Sequence, residues 1–296
     1  MSAGLSRGIL LALFGTLVLT PDAMLMRLSG MEGFQMTGWR GLFMGTMMVL
    51  AWAGISRDRA GDIARLMSGP GLLIVAAQVL NSMLFCLGIA SAPAAMVLMG
   101  VAAVPVFSAL LSRVVTGEST SALTWAAIAA VMTGIGIAVL GGGHGDVALN
   151  RAAATGAIFG LGVAFVLALN FVTVRASPEL PILLAIGVGA WIAGVIGWSL
   201  TGVEAMFEGR VWAMAITGGV VLPVSFFMLS LAARYTLAAN VSLLMLLETV
   251  LGPLWVWIGV GERPTVAMLV GGVIVVGSLA IYLSILRRRS ALIVPR

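Results

Sequence analysis

The chain has 296 residues, of which 61% are hydrophobic and 9% are charged, with a mean hydropathy of +1.15. Soluble domains carry about 25% charged residues, so this composition leaves too little polar surface for a water-soluble particle. The net charge of +5 comes from 16 arginines against 11 acidic residues. Most of these arginines stand singly between apolar runs, which argues against the basic stripe of a nucleic-acid-binding protein.

Apolar runs of about 20 residues, the length that crosses a bilayer, recur along the whole chain. Short connections with turn residues or charges separate them. The pattern predicts an all-α integral membrane protein with ten transmembrane helices. We place them near residues 5–27, 34–55, 70–90, 94–116, 121–141, 152–175, 181–201, 211–233, 238–260 and 265–286.

The arginines predict the orientation, because cytoplasmic loops of membrane proteins are enriched in basic residues. With a cytoplasmic N-terminus, the outer segments hold four arginines, Arg27, Arg151, Arg210 and Arg263. The inner segments then hold eleven: Arg7, Arg57, Arg59, Arg65, Arg113, Arg175, Arg234, Arg287, Arg288, Arg289 and Arg296. Ten spans return the C-terminus to the cytoplasm as well. We expect the segment 57–65 to lie on the inner headgroup surface, where its arginines meet membrane lipid.

The second half of the chain repeats features of the first half at an offset of 144 residues. Gly117-Glu118 follows span four as Gly261-Glu262 follows span nine, and Ala94-Ala95 corresponds to Ala238-Ala239. Because five spans is an odd number, the second copy enters the membrane in the opposite sense. We therefore expect two inverted five-helix repeats, an arrangement typical of transporters with a substrate site near the midplane.

Polar residues inside spans are costly in lipid, and they mark candidate functional sites. The candidates for substrate binding are Asp22, Gln78, Asn81, Asn170, Asn240 and Glu248. An ionised carboxylate there needs a cation, a network of donors or a water-filled cavity. The two acids are read either as ligands of a substrate amino group or a coupled proton, or as structural ties to a buried arginine such as Arg40. The amides bind substrate or join helices.

Three prolines lie inside predicted spans: Pro105 in span four, Pro223 in span eight and Pro253 in span nine. Each removes a backbone donor and frees a carbonyl, which predicts kinks that line a cavity or act as hinges. A purely structural kink is the alternative.

Motifs for metal, cofactor or nucleotide binding are absent from the sequence. The single histidine, His144, falls in a predicted outer loop, and neither HExxH nor the P-loop pattern occurs. We expect no metal site, no cofactor and no enzymatic activity.

The stretch Ala233–Glu262 (ARYTLAANVSLLMLLETVLGPLWVWIGVGE) resembles the second-half signature of EamA-type carriers of the drug/metabolite transporter superfamily. Ala90–Glu118 (ASAPAAMVLMGVAAVPVFSALLSRVVTGE) is similar to the first-half counterpart and keeps the proline and the terminal Gly-Glu. Arg40 stands where this family usually has an arginine in its second span. The resemblance covers the full chain and implies two EamA-like repeats, 1–145 and 146–296.

Two positions bear on the branch of the family. Where members commonly have a proline directly after the span-nine glutamate, this chain has Thr249, with Pro253 four residues on. Thr20–Ala23 (TPDA) is similar to the branch that exports aromatic and other amino acids.

The resemblance implies a secondary transporter that exports small metabolites, above all amino acids, aromatic ones included, across the bacterial inner membrane. It implies alternating access by a monomer or homodimer, with proton coupling left open. The alternatives are a superfamily exporter of another cargo, such as a cationic drug or a nucleotide-sugar, and an intramembrane enzyme.

Overall fold

The computed structural model describes residues 3–92, 94–140, 147–261 and 266–292. The regular structure within these ranges is helical, without a strand. The helices are α1 (Ala3–Leu19), α2 (Asp22–Ser29), α3 (Gly33–Ile55), α4 (Arg59–Leu66), α5 (Gly69–Ser91), α6 (Ala94–Val101), α7 (Val104–Val115), α8 (Ala122–Leu140), α9 (Val147–Ala176), α10 (Ile182–Thr201), α11 (Val203–Met206), α12 (Val211–Ile216), α13 (Leu222–Tyr235), α14 (Ala238–Met245), α15 (Leu247–Val260) and α16 (Val266–Leu292). A π-helical turn, Thr217–Val221, joins α12 to α13.

Six helical segments of the described ranges are long and apolar enough to cross a membrane, with mean hydropathies from 1.9 to 2.3. They are Ser6–Ser29, Gly69–Ser91, Thr155–Ala176, Ile182–Thr201, Val211–Tyr235 and Ala238–Val260. Large apolar side chains also cover the outside, such as Val114 at 83% and Ile258 at 72% exposure. An outer surface of this kind suits lipid and not water. The prediction of an all-α membrane protein is confirmed.

Each of the ten predicted segments coincides with one helix or with consecutive helices. Four are divided: the first into α1 and α2, the fourth into α6 and α7, the eighth into α12 and α13, and the ninth into α14 and α15. The amphipathic α4 and the short α11 lie in connections. The predicted loop with His144, the repeat boundary at 145/146, Glu262 and the arginines Arg263 and Arg296 fall outside the described residues.

Helix boundaries in the two halves recur at the offset of 144 residues. α6 and α14 begin at Ala94 and Ala238, and they end at Val101 and Met245. Soon after α7 and directly after α15, the chain turns at a glycine with left-handed backbone, Gly117 (φ 68°) and Gly261 (φ 81°). An L side chain is disfavoured at such an angle, so glycine suits both helix ends.

Helices of the two halves pack against each other in matching pairs. α3 packs along α10 and α8 packs along α16, while α5 lies on α9 as α13 lies on α1. Glycines permit the closest approaches. A Cβ atom on Gly41 of α3 would collide with the backbone of Gly194 on α10, and one on Gly160 of α9 with that of Gly100 on α6. Such contacts supply the van der Waals packing that holds helices together in lipid.

The three candidate hinge prolines occupy different positions in their helices. Pro105 and Pro223 stand in the first turns of α7 and α13. A proline costs little at the start of α7, because the first amides of a helix have no partner within the helix. Pro223 instead follows the π-helical turn, where the chain stays helical and the Leu222 amide donates to the Thr217 carbonyl. Pro253 lies inside α15, where the Thr249 carbonyl loses its usual donor. At Pro105 the predicted kink takes the form of a helix interruption just before the proline, and at Pro223 it takes the form of a π-helical interruption of the α-helical pattern.

Candidate functional site

Four helix interruptions of the described chain border one buried cavity of about 40 Å³. They separate α1 from α2, α6 from α7, α12 from α13, and α14 from α15. The lining residues next to them are Leu19, Asp22, Val101, Leu222, Met245 and Glu248. Interrupted helices bring helix ends and polar side chains into the membrane interior, where continuous helices present apolar surface.

Asp22 and Arg40 form a buried ion pair in the wall of this cavity. Arg40 Nη2 donates to Asp22 Oδ2 at 2.7 Å, and the exposed fractions of the two side chains are 7% and 1%. Arg40 Nη1 also donates to Met26 Sδ at 2.9 Å and to Cys86 Sγ at 3.4 Å. The Arg40 guanidinium carbon lies 5.4 Å from the centre of the Phe85 ring. Arg40 therefore ties α3 to α2 and α5. Of the two roles that the sequence allowed for Asp22, ligand or structural tie, the tie to Arg40 is present in the structure.

Glu248 has no such partner. It lies in the first turn of α15 and is 4% exposed. Among the described residues it forms no ion pair and accepts no hydrogen bond. The N-terminal end of α15 favours a negative charge at this position, while burial in an apolar surrounding opposes it. An ionised Glu248 therefore calls for a cation in the cavity.

Gln78 and Asn81 of α5 line the same cavity one helical turn apart, together with Ser82. Gln78 Nε2 donates to Ser82 Oγ at 3.2 Å. Gln78 Oε1 and Asn81 Oδ1 are buried and have no hydrogen-bond partner in the part of the chain that the structure describes. A buried acceptor without a donor costs about 1–3 kcal/mol, so both oxygens favour a ligand that can donate.

The other two candidates lie away from the cavity. Asn240 Nδ2 donates to Thr236 Oγ1 at 2.9 Å, and its Oδ1 accepts from the Tyr282 hydroxyl at 2.6 Å. The Tyr282 oxygen is also 3.2 Å from Thr124 Oγ1, so this network joins α14 to α16 and α8. Asn170 is buried in α9 and does not line the cavity. The structure thus brings Asp22, Gln78, Asn81 and Glu248 together and leaves Asn170 and Asn240 apart.

Sequence reasoning missed Ser82 in the cavity and Tyr282, Thr124 and Thr236 in the network around Asn240. Ser82 follows Gln78 by four residues, so helical spacing was a signal that could have found it. Tyr282 is 42 residues from its partner Asn240, and no local pattern connects them.

A second ion pair lies at the predicted cytoplasmic end of the segment Thr155–Ala176, and its acid, Glu118, lies in a connection outside the membrane-spanning segments. Arg175, at the end of α9, donates from Nε and Nη2 to both oxygens of Glu118, at 2.6 to 3.0 Å. These hydrogen bonds from Arg175 hold the pKa of Glu118 below its ordinary value. The pair fastens the connection between α7 and α8 to α9.

Asp62 fastens the amphipathic α4 to the end of α3. Its Oδ2 accepts from Ser56 Oγ at 2.7 Å and from Trp52 Nε1 at 2.9 Å, and its Oδ1 accepts from Arg65 at 3.0 Å. The hydrogen bond from Ser56 is the largest of the effects that lower the pKa of Asp62. α4 is therefore held close to the helix ends, where it was expected to meet lipid headgroups.

Comparisons with known proteins bear on the fold. No family model and no curated protein matches the sequence. Among solved structures, 26 chains match. One of them, a crystal structure of a protein, superposes with a TM-score of 0.73 over 95% of this chain and 97% of its own, at 16% sequence identity. At this identity the similarity shows a shared fold and nothing about activity.

Proposed function

We propose that this protein is a secondary transporter that exports small metabolites, amino acids first among them, by alternating access. One observation carries the proposal: Asp22, Arg40, Gln78 and Asn81 from the first half and Glu248 from the second half line one buried cavity. Charged side chains inside an apolar helical protein are costly, and they usually mark a substrate or ion pathway.

The proposal includes ten membrane spans arranged as two inverted repeats of five. The 144-residue offset of helix starts, helix ends and left-handed glycines supports this arrangement. So does the matching of helix pairs across the halves. Because the cavity is lined from both halves, a movement of one half against the other can open it to either face.

The proposal also includes a bacterial inner-membrane location with both termini in the cytoplasm. The bias of eleven inner against four outer arginines supports that orientation. Membership of the EamA-type carriers rests on the stretches Ala90–Glu118 and Ala233–Glu262 and on Arg40.

Flux of labelled amino acids in proteoliposomes tests the proposal. We expect saturable uptake and counterflow, which distinguish a carrier from a pore, and flux equal to that of empty vesicles across a broad panel refutes it. Glu248→Gln removes the unpartnered carboxylate from the cavity, and we expect transport to fall by about tenfold or more with the protein still folded. Glu204→Gln is the matched control, since Glu204 is exposed on α11.

A further inference from the structure

The charges around the cavity leave one carboxylate without a counter-charge. Asp22 and Arg40 neutralise each other at 2.7 Å, and Glu248 is the remaining charged side chain in the lining. A carboxylate that is ionised in such a buried place needs a cation close by. When Glu248 is ionised, the site has one uncompensated negative charge, and it then suits a ligand that carries one positive charge.

The hydrogen-bonding groups of the cavity also favour a positively charged ligand, because most of those without a partner are acceptors. Asp22 Oδ1, Gln78 Oε1 and Asn81 Oδ1 are buried acceptors without a donor among the described residues, and the Glu248 oxygens accept no hydrogen bond there. A protonated primary amine brings three donors and no acceptor. A carboxylate finds fewer partners: Arg40 is the single cation of the lining, its two terminal nitrogens are already engaged, and only its Nε is a buried donor without a partner among the described residues.

The rest of the wall is apolar. Phe85, Val163, Leu167, Phe226 and Met44 lie around the polar groups. Ligand sites of this composition bind an apolar or aromatic body and orient it through a few polar contacts.

We propose that the cavity selects its cargo through a protonated amine on an apolar or aromatic body, and that the cargo needs no carboxylate. The inference rests on the proposed function and narrows it: amino acids bind through their amino group, and the amines formed by their decarboxylation bind as well. Glu248 supplies the negative charge, while the oxygens of Asp22, Gln78 and Asn81 accept the N–H groups.

A set of four matched compounds tests the inference by binding to the purified full-length protein in detergent. The compounds are phenylalanine, phenethylamine, N-acetylphenylalanine and 3-phenylpropionate, so that the amine and the carboxylate are removed one at a time from the same body. We expect phenylalanine and phenethylamine to bind within about tenfold of each other. The two compounds without a charged amine should bind about 100-fold more weakly, since each loses a charge-assisted contact.

Two variants assign the effect to the cavity. In Glu248→Gln, binding of phenethylamine should weaken by about 30-fold or more, because the negative charge is gone. In Glu204→Gln, which makes the same change on an exposed helix, binding should stay within about twofold. Thermal unfolding of both variants shows whether the chain is still folded.

Several results would overturn the inference. Binding of 3-phenylpropionate as tight as that of phenylalanine shows that the amine is not recognised. Loss of binding on going from phenylalanine to phenethylamine shows that the carboxylate is required. Flux of cargo without an amine, together with no binding of the four compounds, rejects the inference and leaves the transport function intact. The absence of any flux rejects the transport function, whereas the binding series still decides what the cavity recognises.

Discussion

Asp22 and Arg40 show how one ion pair can serve both structure and site. The pair is buried, and Arg40 of α3 reaches two further helices, α2 through Asp22 and Met26 and α5 through Cys86. The second oxygen of Asp22 is left without a partner among the described residues, so the same carboxylate can also accept from a ligand. Placement at the first residue of α2 favours its negative charge.

Removal of one member of this pair should destabilise the protein more than removal of both. Arg40→Gln leaves the Asp22 carboxylate buried without its counter-ion, which we expect to cost about 3–5 kcal/mol in the free energy of unfolding. The double variant Asp22→Asn/Arg40→Gln removes both charges and should recover most of that loss. Unfolding of the purified variants in detergent measures both values. If the double variant loses the sum of the single losses, the two residues are not coupled.

At the residue scale, the sequence predicted which polar side chains are candidates for the site, but it did not predict which of them line the cavity. Asp22, Gln78, Asn81 and Glu248 stand out because each is polar within an apolar run. Asn170 and Asn240 have the same signature, yet they lie outside the cavity. A helix that is apolar on all sides has no polar face to indicate which way a residue points, so only the packing of helices separates these cases.

The interruptions of the helices are the main feature at the scale of elements. Pro21, Pro105 and Pro223 each stand at or just after an interruption, so proline marks three of the four in the described chain. The fourth, at Leu246 between α14 and α15, has no proline of its own. It corresponds to the interruption between α6 and α7 at the offset of 144 residues, which local sequence rules do not detect.

The packing of α3 against α10 should be disrupted, and the protein destabilised, if a side chain is added where the two helices approach most closely. Gly41→Ala places a Cβ against the backbone of Gly194, and we expect a loss of about 1–3 kcal/mol of stability. Gly54→Ala is the matched control on the same helix, because Gly54 has open space around its Cβ position. It should be neutral or slightly stabilising, since alanine favours helix over glycine. Equal melting temperatures of the two variants in detergent would contradict the backbone contact.

The ion pair between Glu118 and Arg175 should contribute to the free energy of unfolding by an amount that depends on pH. Arg175 lowers the pKa of Glu118, so the contribution is fully present above the ordinary pKa of a glutamate and is lost as the pH falls through the lowered value. Both side chains are partly exposed, so we expect Glu118→Gln to cost about 1 kcal/mol at neutral pH. The difference from the wild type should shrink as the pH falls below the ordinary pKa of a glutamate.

Melting temperatures of the wild type and Glu118→Gln across this pH range measure the effect. Glu208→Gln, an exposed acid without an ion pair in the described structure, is the control and should show no such trend. A constant difference at all pH values would show that the pair contributes through packing and not through charge.

At the scale of the whole molecule, the conformation matters: the cavity in this conformation is too small to hold the cargo that we propose. Its volume of about 40 Å³ holds roughly three water-sized groups, enough for an ammonium group but not for an aromatic body. Binding must therefore separate the walls. The four interruptions of the regular α-helical hydrogen-bond pattern provide places where helix segments can rotate against each other without breaking whole helices.

Cys86 offers a direct measurement of that opening, since it is the single cysteine of the chain, lines the cavity and is 1% exposed. In oriented proteoliposomes, we expect a membrane-impermeant thiol reagent to label Cys86 slowly in this closed conformation and faster when cargo drives turnover. Under alternating access, reagent added to either side should reach it, and conditions that favour one open state should raise labelling from one side and lower it from the other. Cys86→Ser provides the background. Labelling from neither side during active transport would contradict the opening of the cavity at Cys86.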